Sequence, residues 1–158
     1  MGADLESYVL LDATTRRTFG SSLVDFSPGI GGAGVSSKDS FDFDFSLLGR
    51  SKREASAPTN TFSVVFAGVQ FSHPFRSFGE TDAVPPLLPY YGAGVGAIYA
   101  EVNARSESVR GSALGATGSL FAGVALRDRV FVEARLRGAT KTRGFNFSGV
   151  GLSFGVRF

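Results

Sequence analysis

The sequence predicts an all-β fold, a transmembrane antiparallel up-and-down β-barrel of eight strands in one domain, residues 1–158. Three observations predict it. Apolar and polar residues swap at every step through eight segments, which places them on opposite faces of strands. No segment sustains a 3.6-residue period, and none approaches the roughly 20 apolar residues of a membrane-spanning helix. The 158 residues include 21 Gly and 16 Phe but only 19% charged residues, a composition that favours strands over helices. The mean hydropathy of +0.11 is then an average over two unlike faces.

The segments lie near residues 5–12, 23–35, 40–48, 61–72, 90–103, 112–126, 129–140 and 144–158. The first puts Glu6 on the polar face. The second carries Asp25, and its Pro28 with Gly29, Gly31, Gly32 and Gly34 signals a bend or bulge. In the third, Phe41, Phe43, Phe45 and Leu47 alternate with Asp42, Asp44 and Ser46. In the fifth, Tyr91, Ala93, Val95, Ala97 and Tyr99 alternate with Gly92, Gly94 and Gly96. The seventh puts Val130, Val132, Ala134 and Leu136 on one face, and Phe131, Glu133, Arg135 and Arg137 on the other. The eighth sets Val150, Leu152, Phe154, Val156 and Phe158 against Gly149, Gly151, Ser153, Gly155 and Arg157.

Connections sort by parity. Short turns, Ser36–Asp39 and Arg127–Arg129, follow even segments. Mostly longer polar loops, Ala13–Ser22, Gly49–Asn60, Ala104–Gly111 and Lys141–Arg143, follow odd ones. That asymmetry is the habit of a membrane barrel; the long, Pro-rich connection His73–Pro89 stands apart from it. A face of Gly, Ser, Asp, Glu and Arg packs poorly as a soluble core but suits a narrow lumen. The Phe, Val and Leu face then meets lipid. Closure removes the edge strands that lipid does not tolerate.

The terminal run Val150-Gly151-Leu152-Ser153-Phe154-Gly155-Val156-Arg157-Phe158 resembles the C-terminal signature of Gram-negative outer-membrane barrels. Pro89-Tyr90-Tyr91-Gly92-Ala93-Gly94-Val95-Gly96-Ala97 resembles the fifth strand of small OmpA/OmpX-like barrels, and Leu120–Arg129 their sixth strand and short periplasmic turn. The resemblance implies a bacterial outer-membrane location, reached with a signal peptide that this sequence lacks. It also implies that Val150, Leu152, Phe154, Val156 and Phe158 form the signal read by the barrel assembly machinery.

Face parity sends Glu6, Asp25, Asp42, Asp44, Glu133, Arg135, Arg137 and Arg157 into the lumen. The first and eighth strands neighbour each other in a closed barrel, so carboxylates of strands one to three can meet guanidiniums of seven and eight. Arginine suits such pairs because its fork takes carboxylates bidentately. The expectation is a structural acid–arginine plug, because eight strands leave only enough interior for side chains. A second feature is a basic rim. Arg16, Arg17, Arg50, Lys52, Arg53, Arg105, Arg110, Lys141 and Arg143, nine of the 16 basic residues, fall at the loop end. In an outer membrane they would face lipopolysaccharide phosphates. Tyr8, Tyr99 and Phe62 at one rim, with Tyr90, Tyr91 and Phe158 at the other, are candidate girdle residues.

Other chemistry is thin. The chain has no Cys and one His, which excludes disulfides, thiolate metal sites and multi-histidine metal sites. His73 has no Ser and acid placed beside it, so it reads as a loop residue and not a catalyst. The Gly29–Gly34 cluster lacks the following helix of a phosphate-binding loop. The expected protein is therefore a non-enzymatic outer-membrane barrel without cofactor or metal. Its expected partners are outer-membrane lipid and lipopolysaccharide, with a host or envelope surface as a further candidate and no nucleic acid. A small-solute pore and a soluble calyx for an apolar ligand are the alternatives.

Overall fold

A computed structural model describes residues 2–20, 22–27, 39–52, 59–75, 86–126 and 130–157. Eight strands form one sheet: β1 (Gly2–Leu10), β2 (Ser22–Ser27), β3 (Ser40–Lys52), β4 (Asn60–Pro74), β5 (Leu87–Ala104), β6 (Val109–Leu126), β7 (Val130–Ala139) and β8 (Gly149–Arg157). Their order is β2-β1-β8-β7-β6-β5-β4-β3, and every pairing is antiparallel. Strands β2 and β3 end that order and lie beside each other, which closes the barrel. This is the up-and-down topology that strict alternation and consecutive hairpins favour.

Alternation sets the two surfaces. Phe43, Val95, Leu114 and Leu120 point outward and are 62–76% exposed. Phe41, Phe71, Leu136, Leu152 and Phe154 extend the same belt. A contiguous apolar surface of this extent needs a non-aqueous covering. The interior has tiers. Near the loop end, Tyr8, Leu48, Phe62, Val64, Phe66, Ile98, Val102, Phe145 and Phe147 form an apolar cluster. At the opposite end, Leu88, Tyr90, Phe121, Ala125 and Phe131 form another. Buried polar residues, among them Glu133, Arg135, Arg137 and Gln70, contribute the remaining interior side chains.

Several expectations are corrected. A helix was not expected, yet α1 (Ala13–Phe19) follows β1, and a 3-10 turn spans Arg105–Glu107. Asp12 caps α1, its carboxylate accepting from the Thr15 backbone N–H at 2.8 Å and the Thr15 hydroxyl at 2.7 Å. Gly20, at φ 97°, ends it. Two turns are too short to display a helical period, but their caps are legible. The final strand begins at Gly149, not near residue 144, because Thr142 and Phe145 bridge across a tight turn with Arg143 at φ 51° and Gly144 at φ 87°. The first strand runs over Gly2–Leu10 rather than 5–12. Three girdle candidates, Tyr8, Phe62 and Tyr90, are buried in the interior, because each falls on the lumen parity of its strand. Tyr91 and Tyr99 do point outward. The lumen face is thus not uniformly small and polar. The turns 36–38 and 127–129, the whole glycine cluster 29–34 with Pro28, and Phe158 lie outside the described residues.

Candidate functional site: the charged centre of the lumen and the loop rim

Arg135 and Arg137 sit two residues apart on β7, so one strand face aims both guanidiniums inward. Arg135 donates from Nε and Nη2 to Glu133 Oε1 at 2.9 and 2.8 Å. Its Nη1 reaches Asp44 Oδ2 across the lumen at 2.8 Å, and Nη2 also reaches Gln70 Oε1 at 2.8 Å. Arg137 donates to the same Asp44 oxygen at 3.0 Å and to the Ser46 hydroxyl at 2.7 Å. Tyr90 donates to Glu133 Oε2 at 3.0 Å. Each guanidinium also stacks on an aromatic ring. Arg135 lies 4.6 Å from the Phe121 centroid and Arg137 lies 4.2 Å from that of Phe66.

β3 and β7 are far apart in the sheet order, so these bonds cross the interior rather than following the wall. Burying a charge is costly unless it is paired and hydrogen-bonded. Here Arg135 is held by two carboxylates and an amide at once. Removing water strengthens such bonds.

The remaining predicted lumen residues are distributed around this knot. Glu6 is buried on β1, where its carboxylate occupies the space in front of Gly151. A Cβ at 151 would meet that carboxylate, the far end of a flexible side chain, which would then have to shift. Asp42 accepts from Ser40 at 3.4 Å, and Ser40 shares a 2.7 Å hydrogen bond with Ser72. Asp25 stands opposite Glu6 in the β1–β2 register, and Arg157 opposite Gly2; the side chains of Asp25 and Arg157 lie outside the described residues. A reading confined to charges misses Gln70 and leaves Ser46, though on the polar face with Asp44, out of the network. Their signal was the parity of β4 and β3, where Phe71 and Phe45 point outward on either side.

The loop-end mouth is capped by α1. Phe19 is fully buried, with ring centroids 4.9 Å from Phe62 and 5.1 Å from Phe145, both edge-on. Asn60 donates to the Thr18 carbonyl at 3.3 Å and to the Ser106 hydroxyl at 2.8 Å, which ties α1 to the β5–β6 connection. The backbone N–H of Asn146 donates to the Thr15 hydroxyl at 3.0 Å. Three connections therefore meet over the lumen. The hydrogen bonds from Thr15 hold the Asp12 carboxyl below its ordinary range.

Antiparallel order puts the predicted rim at this same end. Arg16 and Arg17 are exposed in the last turn of α1, where cations complement the helix dipole. Arg105, Arg110, Lys141 and Arg143 are exposed on the other connections, and Arg143 Nε donates to the Ser112 carbonyl at 3.0 Å. Arg50 and Lys52 stand on the end of β3 with side chains outside the described residues, as is all of Arg53. Of the predicted assembly signal, Val150, Leu152 and Phe154 point outward, and Val156 is partly exposed. At the opposite end His73, expected in a loop, is instead the penultimate residue of β4, paired with Asp39 and edge-on to Tyr91 at 5.5 Å. Among the described residues no group of three or more His, Cys, Asp or Glu is placed to hold a metal.

No protein-family model matches the chain, and no curated protein sequence matches it. Among solved structures it is similar to the crystal structure of Neisserial surface protein A (NspA), with a TM-score of 0.64 and 18% identity over 99% of this chain and 95% of that one. The fold is accordingly that of a small outer-membrane β-barrel.

Proposed function

We propose that this protein is a non-enzymatic surface barrel of a Gram-negative outer membrane, with a closed lumen and basic loops turned toward lipopolysaccharide. The observation that carries the reading is the inverted distribution of side chains: large apolar residues on the outer wall, salt-bridged arginines in the centre. Water would penalise that outer wall, whereas hydrocarbon leaves it at no cost. NspA is by its name a surface protein, which supports a location at the cell surface. Fold likeness by itself does not transfer a function.

The lumen reading follows from the tiers. Interior side chains of two apolar clusters and an ion-pair knot occupy the space that a permeating solute would need. The role left to the molecule is structural or interactive, through exposed Arg16, Arg17, Arg105, Arg110, Lys141 and Arg143. The outward Val150, Leu152 and Phe154 are then available to the assembly machinery before the barrel closes. The test is refolding into detergent. Unboiled protein is expected to migrate differently from boiled protein on a denaturing gel, and planar bilayers containing it are expected to stay silent. Monodisperse protein in plain buffer would instead favour a soluble calyx, and steady conductance a small-solute pore.

A further inference from the structure

Strands β5 and β6 are 18 residues each, well beyond the 9–11 that cross a bilayer at the usual tilt. The excess lies at the loop end. Tyr99 and Leu114 form the last apolar outward rung of this hairpin; above it the rungs are Glu101 with Ser112 and Asn103 with Arg110. On β4 the outward series likewise passes from Val65 to Ser63 and Thr61. Thr61, Ser63, Glu101, Asn103, Arg110 and Ser112 line an outward-facing polar cleft with Tyr99 at its lower edge. A second depression on the same wall is apolar, lined by Val95, Leu120, Leu136, Leu11 and the outward Gly118 and Gly138. A side chain at Gly118 or Gly138 would meet only one backbone oxygen each, at 3.7 and 3.9 Å, so the hollow faces open space.

We propose that this wall is a binding site for a phosphorylated glycolipid of the outer leaflet, with its sugar headgroup in the Glu101–Arg110 cleft and an acyl chain in the depression over Gly118. The chemistry of the two hollows matches an amphiphile, polar above and apolar below, at the height where a headgroup meets its tails. Arg110 supplies a guanidinium for phosphate. Glu101, Asn103 and Ser112 supply planar and hydroxyl hydrogen-bonding groups for sugar hydroxyls, and the exposed Tyr99 ring offers a face to the sugar. Arg105, exposed at the tip of the same hairpin, adds to the charge complementarity. Glu101 disfavours a purely anionic headgroup lacking hydroxyls, which separates this site from a general basic patch.

The inference rests on the membrane reading above, and one experiment separates the two. The full chain is refolded in detergent, mixed with lipid A or with phosphatidylglycerol, stripped, and analysed by native mass spectrometry for retained lipid. Lipid A is expected to be retained at least tenfold better than phosphatidylglycerol. Arg110→Glu and Gly118→Leu are each expected to reduce lipid A retention about tenfold, with the heat-modifiable band unchanged, while Arg16→Glu has little effect. Equal retention of the two lipids, or retention untouched by Arg110→Glu and Gly118→Leu, overturns the site and leaves the barrel reading intact. A chain that needs no detergent overturns both.

Discussion

Arg135 is the residue on which the lumen turns. It bonds Glu133, Asp44 and Gln70 at once, so replacing it takes the guanidinium from the buried Glu133 carboxylate and leaves Asp44 with Arg137. Breaking one partner of a buried ion pair typically costs about 3–5 kcal/mol. Arg135→Met is expected to lose stability of that order, read as a lower urea midpoint for the barrel refolded in vesicles. A double replacement that also exchanges Glu133 for an apolar residue of similar volume, and leaves Asp44 to Arg137, should recover most of it. No recovery would show that the knot acts through something other than charge. The glycines make a second argument at this scale. Gly68 and Gly96 face each other in the β4–β5 register. A Cβ on Gly68 would lie 2.8 Å from the Gly96 Cα, and one on Gly96 would lie 2.6 Å from the Gly68 Cα. Those obstacles are backbone and cannot swing aside, so Gly68→Ala and Gly96→Ala are each expected to destabilise by about 1–3 kcal/mol in the same urea titration. Gly138→Ala, whose Cβ would make only an ordinary van der Waals contact with the Gly118 carbonyl oxygen at 3.9 Å, should leave the midpoint unchanged.

At the scale of elements, α1 and the strands differ in how far the sequence reveals them. Alternation put Asp44, Glu133, Arg135 and Arg137 on one side of the wall, because a pleated strand has a period of two and tolerates no slip once a face is committed. The same parity, carried through β1, β4 and β5, turns Tyr8, Phe62 and Tyr90 inward; treating them as interfacial girdle residues weighed residue type over position. Which arginine meets which acid across the lumen depends on strand tilt and stagger, which no local pattern encodes. The docking of α1 depends on Phe19 finding Phe62, Phe145 and Phe147, partners up to 128 positions away. Only the caps of α1 are local, and they can be tested. Asp12→Ala is expected to cost about 1 kcal/mol of local stability, read as faster amide exchange at Thr15 and Arg16. The Thr15 hydrogen bonds hold the Asp12 carboxyl below its ordinary value, so its contribution is complete above the unfolded value and is lost as the pH falls through the lower, folded one. The exchange protection of α1 should therefore persist at neutral pH and fail only in strong acid, whereas the Asp12→Ala helix should show no such transition.

For the whole molecule, the closed lumen proposed above rests on three tiers in series. Among the described residues, Phe19 and the aromatic residues beneath α1 lie at the loop end, the arginine knot at the centre, and Tyr90, Phe121 and Phe131 at the far end. A series arrangement conducts only when every tier is breached. Phe19→Ala removes a large buried ring and is expected to cost about 3–5 kcal/mol, yet to leave the barrel silent in a planar bilayer because two tiers remain. Arg137→Ser alone should also stay silent, since Arg135 still spans the lumen to Asp44. Joining Phe19→Ala with Arg135→Ser, Arg137→Ser and Phe131→Ala thins all three tiers and is expected to give small, flickering conductance that salt enlarges. The order of effects carries the argument. Conductance in the native protein would mean that interior side chains move aside together. Conductance from Phe19→Ala alone would mean that α1 is the single barrier and that the charged centre is permeable to water and ions despite its bonds.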